Sequence, residues 1–594
     1  MGRSTDVTVT ARWAVDVDDL VAEVAPGARV GVSGFHFTRA PVAALLALAD
    51  AGIRDLHYVA WGGGLPLEIL LGRGAVARAT LCFSSLDVLG PAPRFRRAVE
   101  SGALALDEWT ALGLISGLRA AGENLPYEVF HEPAGSSLTD GFSVPAPSPY
   151  GPDGTPLRAV RPLPLDVLLL HAQRADDDGN VEIAGARGLD MSAIFAARRV
   201  LVTVEERVPR GALGAARSFV LPRTFVSRLA VAPFGAYPTS CLPFYPADYR
   251  ALRAVVGADP AGPVPESALR PPPDAQAALA RRAAVPATSI ATGFRALTTV
   301  DAAAPYTVDE LMVAVLARTI GPGDVCSFGS ASPLPTAAYV LAKHLWAPDV
   351  VLMSHNGGLV DVPVRPLALA ASEQLDHELA AAHTGGDETY HWYYQRGLVT
   401  HEVVGSAQVD ARGATNNLWV RKGDGTRVRL PGQGGMADVA NLHANFMIYL
   451  PRQSTRNTPD GVETVSARRA WADPDLRRRY GLRPGRTLVV TDLAVFEDDP
   501  ATGTLRVRSL HPGVSVDELR ARTGFDVVVP PSAGTTEPPT PDELHALRTV
   551  VDPLGVRRLD LVGAADRQQL VDQLLDLEET VLDPPTRRSA DAVH

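Results

Sequence analysis

The sequence predicts an α/β protein built as two homologous domains, each a mostly parallel sheet flanked by helices. Three observations carry this. Short β-rich runs alternate with Ala/Leu-rich helical stretches, the pattern of strand–helix units in a parallel sheet. The chain has 594 residues, and a single core rarely grows past about 250–300, so at least two domains are expected. The two halves also repeat the same landmarks in the same order.

In chain order, residues 28–33 are strand-like and end on Gly34, and 41–51 have helical spacing with Pro41 at their start. Residues 56–61 are strand-like again and stop at Gly62, Gly63 and Gly64; 167–171 and 200–204 are further β-rich runs. Between about 258 and 305 the composition turns Pro/Ala-rich, with 270–274 the clearest break, which predicts a linker or a loosely packed helical connection. A second α/β pattern begins at 306–316. There Pro322 and Gly323 precede a strand, a turn at Gly329, a helix after Pro335, and a strand from Asp349 into Gly357 and Gly358. The first half has the same series: Pro26 and Gly27, Gly34, Pro41, then Asp55 into Gly62. The distances from turn glycine to strand aspartate are nearly equal, and Asp176-x-x-Gly179 is echoed by Asp410-x-x-Gly413. The expected division is a first domain at 1–257, a linker at 258–305, a second domain at 306–570 and a tail at 571–594.

Composition narrows the function classes. The chain is 46% hydrophobic and 21% charged with a net charge of −11, so no global basic field suits nucleic acid. No run of about 18 uncharged apolar residues predicts a membrane span, and the first thirty residues lack the apolar run of a signal peptide. Cys82, Cys241 and Cys326 are too scattered for a metal or disulfide pattern, and a reducing cytoplasm is the expected compartment. Lys343 and Lys422 are the only lysines and neither lies in an apolar run, which argues against Schiff-base chemistry. His377-Glu378 lacks the second histidine of a zinc helix, and there is no G-x-S-x-G elbow or P-loop.

Several segments together resemble the class I CoA-transferase superfamily, nearest the glutaconate CoA-transferase type with its α and β subunits fused. They are Ser33-Gly34-Phe35-His36-Phe37-Thr38-Arg39-Ala40-Pro41, the Asp176–Asn180 turn, Gly405-Ser406-Ala407-Gln408-Val409-Asp410, Gly432-Gln433-Gly434-Gly435, Leu510-His511-Pro512-Gly513 and Thr523-Gly524-Phe525. The resemblance spans roughly 20–555. It implies an acyl-CoA thioester as substrate, with coenzyme A the only cofactor-like group, no metal, and homodimers by analogy.

One departure decides the chemistry. The family attacks acyl-CoA with a glutamate in a Ser-Glu-x-Gly context; this chain reads Met353-Ser354-His355-Asn356-Gly357-Gly358. Imidazole can take a proton or an acyl group but cannot become a CoA thioester, so the usual ping-pong route requires another carboxylate. Asp361, Glu373, Asp387 and Glu388 lie downstream without the motif. Residues 83–87 and 101–127 look similar to the superfamily's ring-opening hydrolases, which lack that glutamate and cleave a cyclic keto-acyl-CoA with water.

The site so implied uses His355, Asn356 and Glu108 for chemistry. Gly34, Phe35, Arg39, Gly357, Gly432, Gln433, Gly434 and Gly435 would lie against the thioester. His355 suits a general base near neutral pH, although lone histidines also serve structure. Glu108 is read equally as chemistry or as stabilising a helix N-terminus. Gly34 and Phe35 offer oxyanion contacts, or a turn that only needs glycine's backbone freedom. Arg39 offers a bidentate fork for a carboxylate or phosphate. The glycines at 432–435 also fit a dinucleotide fingerprint, but no acidic residue follows where that fold requires one. Water-dependent cleavage is the leading expectation; CoA transfer through a relocated carboxylate and an inert CoA-binding protein are the alternatives.

Overall fold

A computed structural model describes residues 12–150, 156–299, 301, 303–329, 332–354 and 358–583. Two large sheets organise them. In the first half the strands run Arg12–Trp13, Arg228–Val231, Ala197–Val208, Leu165–Asp176, Arg29–Val32, Leu56–Val59, Val76–Leu81 and Ala105–Glu108, every neighbouring pair parallel. In the second half a parallel centre runs Val351–Ser354, Val325–Phe328, His401–Gly405, Asn445–Leu450 and Thr487–Thr491, with antiparallel strands added beyond both ends.

The internal repeat is architectural. In each half the first strand of the repeat, Arg29–Val32 or Val325–Phe328, has the next strand of the chain, Leu56–Val59 or Val351–Ser354, on one side and a later strand, Leu165–Asp176 or His401–Gly405, on the other. The order reverses next to the first strand, at Arg29–Val32 in one half and Val325–Phe328 in the other. In open α/β sheets that reversal leaves a crevice beyond the carboxyl ends of the strands, where ligands bind. The aspartate echo is the same turn twice. Asp176 accepts the Asn180 amide at 2.9 Å and Asp410 the Ala414 amide at 3.0 Å, each with a glycine of positive φ between.

The strand Leu165–Asp176 is buried along nearly its whole length, as a central parallel strand covered on both faces must be. Helix Val42–Asp50 follows Pro41, as the sequence signals, while Pro333–Leu345 starts at Pro333, two residues before the expected Pro335. The halves share their apolar core: one cluster joins Leu45, Leu56, Ile290, Met312, Leu341 and Leu574, and another joins Trp61, Leu112, Leu168, Tyr394 and Phe446.

Two expected boundaries fall differently. The stretch 258–305 contains helices Pro273–Ala283 and Ala287–Ala296, and Ile290 and Phe294 are fully buried, so this connection is packed structure. The division at 570 falls inside one helix, Ala564–Leu582, whose Leu570, Val571, Leu574 and Leu575 lie in the core. No helix among the described residues is long and apolar enough to cross a membrane.

Candidate active site

The strand Arg29–Val32 ends in a turn that only glycine can open. Gly34 has φ +84°, and a Cβ there would meet the Thr38 carbonyl oxygen at 2.5 Å. Phe35 and Thr38 close the turn by donating their amides to each other's carbonyls at 3.2 and 3.0 Å. His36 and Arg39 take φ +53° and +48°, rare for residues with side chains and held only when the surroundings enforce them. Arg39 is one of those enforcing groups. It is buried, and its Nη2 donates to Asp190 Oδ2 at 2.6 Å and to the Ala186 carbonyl, while Nη1 donates to the His171 carbonyl.

His36 points outward from this turn. Its Nδ1 lies 2.5 Å from Asp87 Oδ1, and Asp87 is itself at φ +50° at the start of the short helix Asp87–Leu89. Phe35 meets the imidazole edge-on at 3.8 Å between centroids and stacks on Trp61 at 4.5 Å. Phe83 flanks the ring at 5.6 Å.

Opposite stands the second half. A cleft is lined by His36, Thr38, Asp87 and Tyr249 on one side and by Phe328, Arg365 and Glu373 among others on the second. A smaller cavity runs behind the turn past Gly34, Phe35, Tyr58, Gly62 and Phe83, and His36 borders both spaces. Thr38 Oγ1 donates to Glu373 Oε1 at 2.8 Å, so the turn that carries His36 also holds this carboxyl. Burial pushes the Glu373 carboxyl up to about 7. Arg365 is buried beneath, its Nε 2.7 Å from Asp376 Oδ1. The C-terminal helix braces both walls. Glu578 accepts the amides of Leu369, Ala370 and Ala371 on one side, and Gln568 Nε2 donates to the Leu89 carbonyl at 3.2 Å on the other.

His355, Asn356 and Gly357 lie outside the described residues; in the sequence they follow the strand Val351–Ser354. Glu108 does not open a helix. It ends the strand Ala105–Glu108, and Thr110 caps the next helix by accepting the Gly113 amide. Both Glu108 oxygens accept from the buried Arg429 guanidinium of the other half, one at 2.6 Å. The Phe35 amide is engaged in the turn and the Gly34 amide reaches Asp190 at 3.4 Å, which leaves these residues as cavity lining without a free oxyanion donor. The Arg39 fork is likewise turned inward.

The loop at Gly432, Gln433, Gly434 and Gly435 packs on the first half. Gly434 donates to the Cys82 carbonyl at 3.1 Å, Gln433 Nε2 donates to the Trp109 carbonyl, and a Cβ on Gly432 would meet the Cys82 carbonyl at 2.7 Å. The preceding element is the antiparallel pair Trp419–Arg421 and Arg427–Arg429, so no βαβ unit surrounds this fingerprint. Asp387 and Glu388 also lie on the seam, accepting from Ser192 and Arg187 of the first half. A buried trio of His171, Glu205 and Cys241 has metal-like proximity. Its histidine and carboxylate already have protein partners: His171 bonds Glu205 at 2.7 Å and Thr203 at 2.9 Å, and Tyr245 donates to Glu205 at 2.5 Å.

The model of the coenzyme A transferase family matches residues 15–232 and 310–522, well over half of the chain. The chain belongs to the coenzyme A transferase family. Each of the two chains of the 3-oxoadipate CoA-transferase of Pseudomonas knackmussii has its counterpart in it. One of them is 32% identical over 41% of this chain and 93% of its own length. The other is 34% identical over 38% of this chain and 81% of its own. A cholesterol ring-cleaving hydrolase IpdA chain of Mycobacterium tuberculosis is 31% identical over 39% of this chain and 83% of that one. A solved acyl-CoA transferase from Escherichia coli O157:H7, in a thioester complex with CoA, superposes at TM-score 0.64 with 14% identity, covering 93% of this chain and 100% of that one. That likeness shows the fold. Two fused CoA-transferase halves therefore meet at the cleft. In this member of the family, the sequence alone gave no role to His36, Asp87, Thr38 or Arg365. The available signal was the crowding of His36, Thr38 and Arg39 into a turn that the family keeps glycine-rich.

Proposed function

We propose that this enzyme cleaves an acyl-CoA with water and without a glutamyl-CoA intermediate at position 355. Ring opening of a keto-acyl-CoA is its concrete form, with a histidine base that the motif assigns to His355. One observation carries the reading: the cleft between the halves gathers a histidine–aspartate pair and a carboxyl near 7, proton-handling groups suited to water chemistry. The sequence adds histidine where the family's nucleophilic carboxylate stands, and the Mycobacterium relative is named a ring-cleaving hydrolase. Binding of the CoA moiety, remote from the bond that breaks, supplies the orientation of the acyl group. The reading places the enzyme in the cytoplasm and allows it to pair as a homodimer.

A second reading, true transfer between carboxylic acids, is favoured by Glu373. It is the downstream carboxylate that lines the cleft, and its neutral form would have to ionise before attacking a thioester. The test incubates the protein with a panel of acyl-CoAs, with and without carboxylic acids, and follows every CoA species by mass spectrometry. A gain of one water, or free CoA, without need of an acceptor is expected. Acceptor-dependent exchange of acyl groups overturns hydrolysis in favour of Glu373, and an inert panel points to a CoA-binding protein.

A further inference from the structure

Cleavage of a keto-acyl-CoA by water moves two protons, one away from the attacking water and one onto the departing carbon. We propose that His36, oriented by Asp87, takes the first, and that Glu373 delivers the second. The active site then draws its base from one half of the chain and its acid from the other. This inference rests on the water-dependent reading and departs from it in one role: the base is His36, where the motif alone assigns His355, and the acid is Glu373.

Geometry supports the assignment. An ionised Asp87 can only accept, so the imidazole presents Nδ1–H to it and keeps the lone pair on Nε2. Nε2 has no protein partner among the described residues, and the ring stands where the two cavities meet. Asp87 is 4% exposed at its side chain, so it holds one tautomer and stabilises the imidazolium once formed, as the acidic member of a catalytic triad does. The backbone supports the same conclusion. His36 and Asp87 both occupy left-handed conformations, a cost of order 1–3 kcal/mol each that persists where the fold enforces it and often marks a functional site. Glu373 reaches the same cleft on the hydroxyl of Thr38, two residues from His36. Its charged surroundings are Arg39 and Asp376, with Asp87 and Glu373 both facing Tyr249. Burial keeps the carboxyl protonated towards neutral pH, as a donor requires.

The step balances. Water oxygen adds to the ketone carbon while His36 Nε2 takes its proton. The tetrahedral oxyanion collapses to a carboxylic acid, and the carbon–carbon pair leaves as the acyl-CoA enolate. Glu373 protonates that carbon. The imidazolium returns its proton to the Glu373 carboxylate, directly or through water, and one water has been consumed.

The test uses acetoacetyl-CoA and 2-oxocyclohexane-carboxyl-CoA with the full-length protein, the products followed by mass spectrometry. Wild type should release acetyl-CoA from the first probe or add one water to the second. His36→Asn, whose side chain tolerates the left-handed backbone, should lower kcat by about 10²–10⁴-fold. His36→Gly suits the same backbone and leaves room for a free base, so millimolar imidazole should restore part of its rate. Glu373→Gln should slow turnover without being rescued. Wild-type cleavage with His36 variants within threefold of it overturns the inference and leaves the reading standing. The same holds if His36→Gly keeps wild-type circular dichroism, is slow, and fails to respond to imidazole. Acceptor-dependent exchange by wild type, or no turnover of either probe, overturns the reading itself.

Discussion

The seam between the two halves differs between its Glu108 side and its His36 side. At the first, polar groups of the two halves are paired with each other: Glu108 with Arg429, Gln433 with the Trp109 carbonyl, and Asp438 with the Leu112 amide at 3.0 Å. At the second, a histidine nitrogen and a carboxyl face the cleft. Buried polar groups paired across a seam hold two surfaces in one arrangement. Groups left open to a cavity, at strained positions, are those a ligand can use. The contrast separates residues that hold the halves together from residues available for chemistry, a separation that motif position alone assigned differently for Glu108 and His36.

The largest expected effect breaks the closed side. Arg429→Ala leaves the Glu108 carboxylate without its partner in a buried place, and should cost about 3–5 kcal/mol. A large downward shift of the denaturation midpoint is expected; an unchanged midpoint would mean the pair holds nothing.

A smaller effect sharpens the open side. The Glu373 carboxyl is raised from an ordinary 4.5 to about 7 in the folded protein, so between those values the folded state binds the extra proton. Its contribution is complete below pH 4.5 and is lost as pH climbs through about 7, a change of about 1–3 kcal/mol at most. Comparing melting temperatures of wild type and Glu373→Gln across this range should show wild type losing ground as pH rises. A pH-independent difference contradicts the assignment. The smallest effect belongs to Thr38→Val, which removes the hydrogen bond to Glu373 and should cost about 1 kcal/mol, with a change in the pH response of activity.

Much of the architecture was legible in the sequence because strand–helix alternation and repeated glycine, proline and aspartate landmarks are local signals. The turns at Gly34, Asp176 and Asp410 all formed where the pattern put them. The stretch 258–305 was legible as a linker or helical connection but not its packing, since its alanines read as loose composition while Ile290 and Phe294 bury themselves in a core contributed by distant segments. Nor was the last helix legible; its boundary near 570 has no cap or breaker to mark it. At the site, Glu108 and Arg429 are 321 residues apart in sequence, and no spacing announces their pairing. The His36–Asp87 contact spans 51 residues and depends on two left-handed residues, a conformation that composition does not encode. Glu373 was visible as one of several downstream carboxylates, but only the meeting of the halves distinguishes it from Asp361, which pairs with Lys343.

The most direct test is a crystal structure with a non-hydrolysable thioether analogue of a keto-acyl-CoA. The acyl chain is expected in the cleft, with the keto carbon within reach of His36 Nε2 through one water and the α-carbon facing Glu373. An acyl chain bound away from the cleft, with His36 still paired to Asp87 and facing only solvent, would contradict a proton relay shared between the two halves.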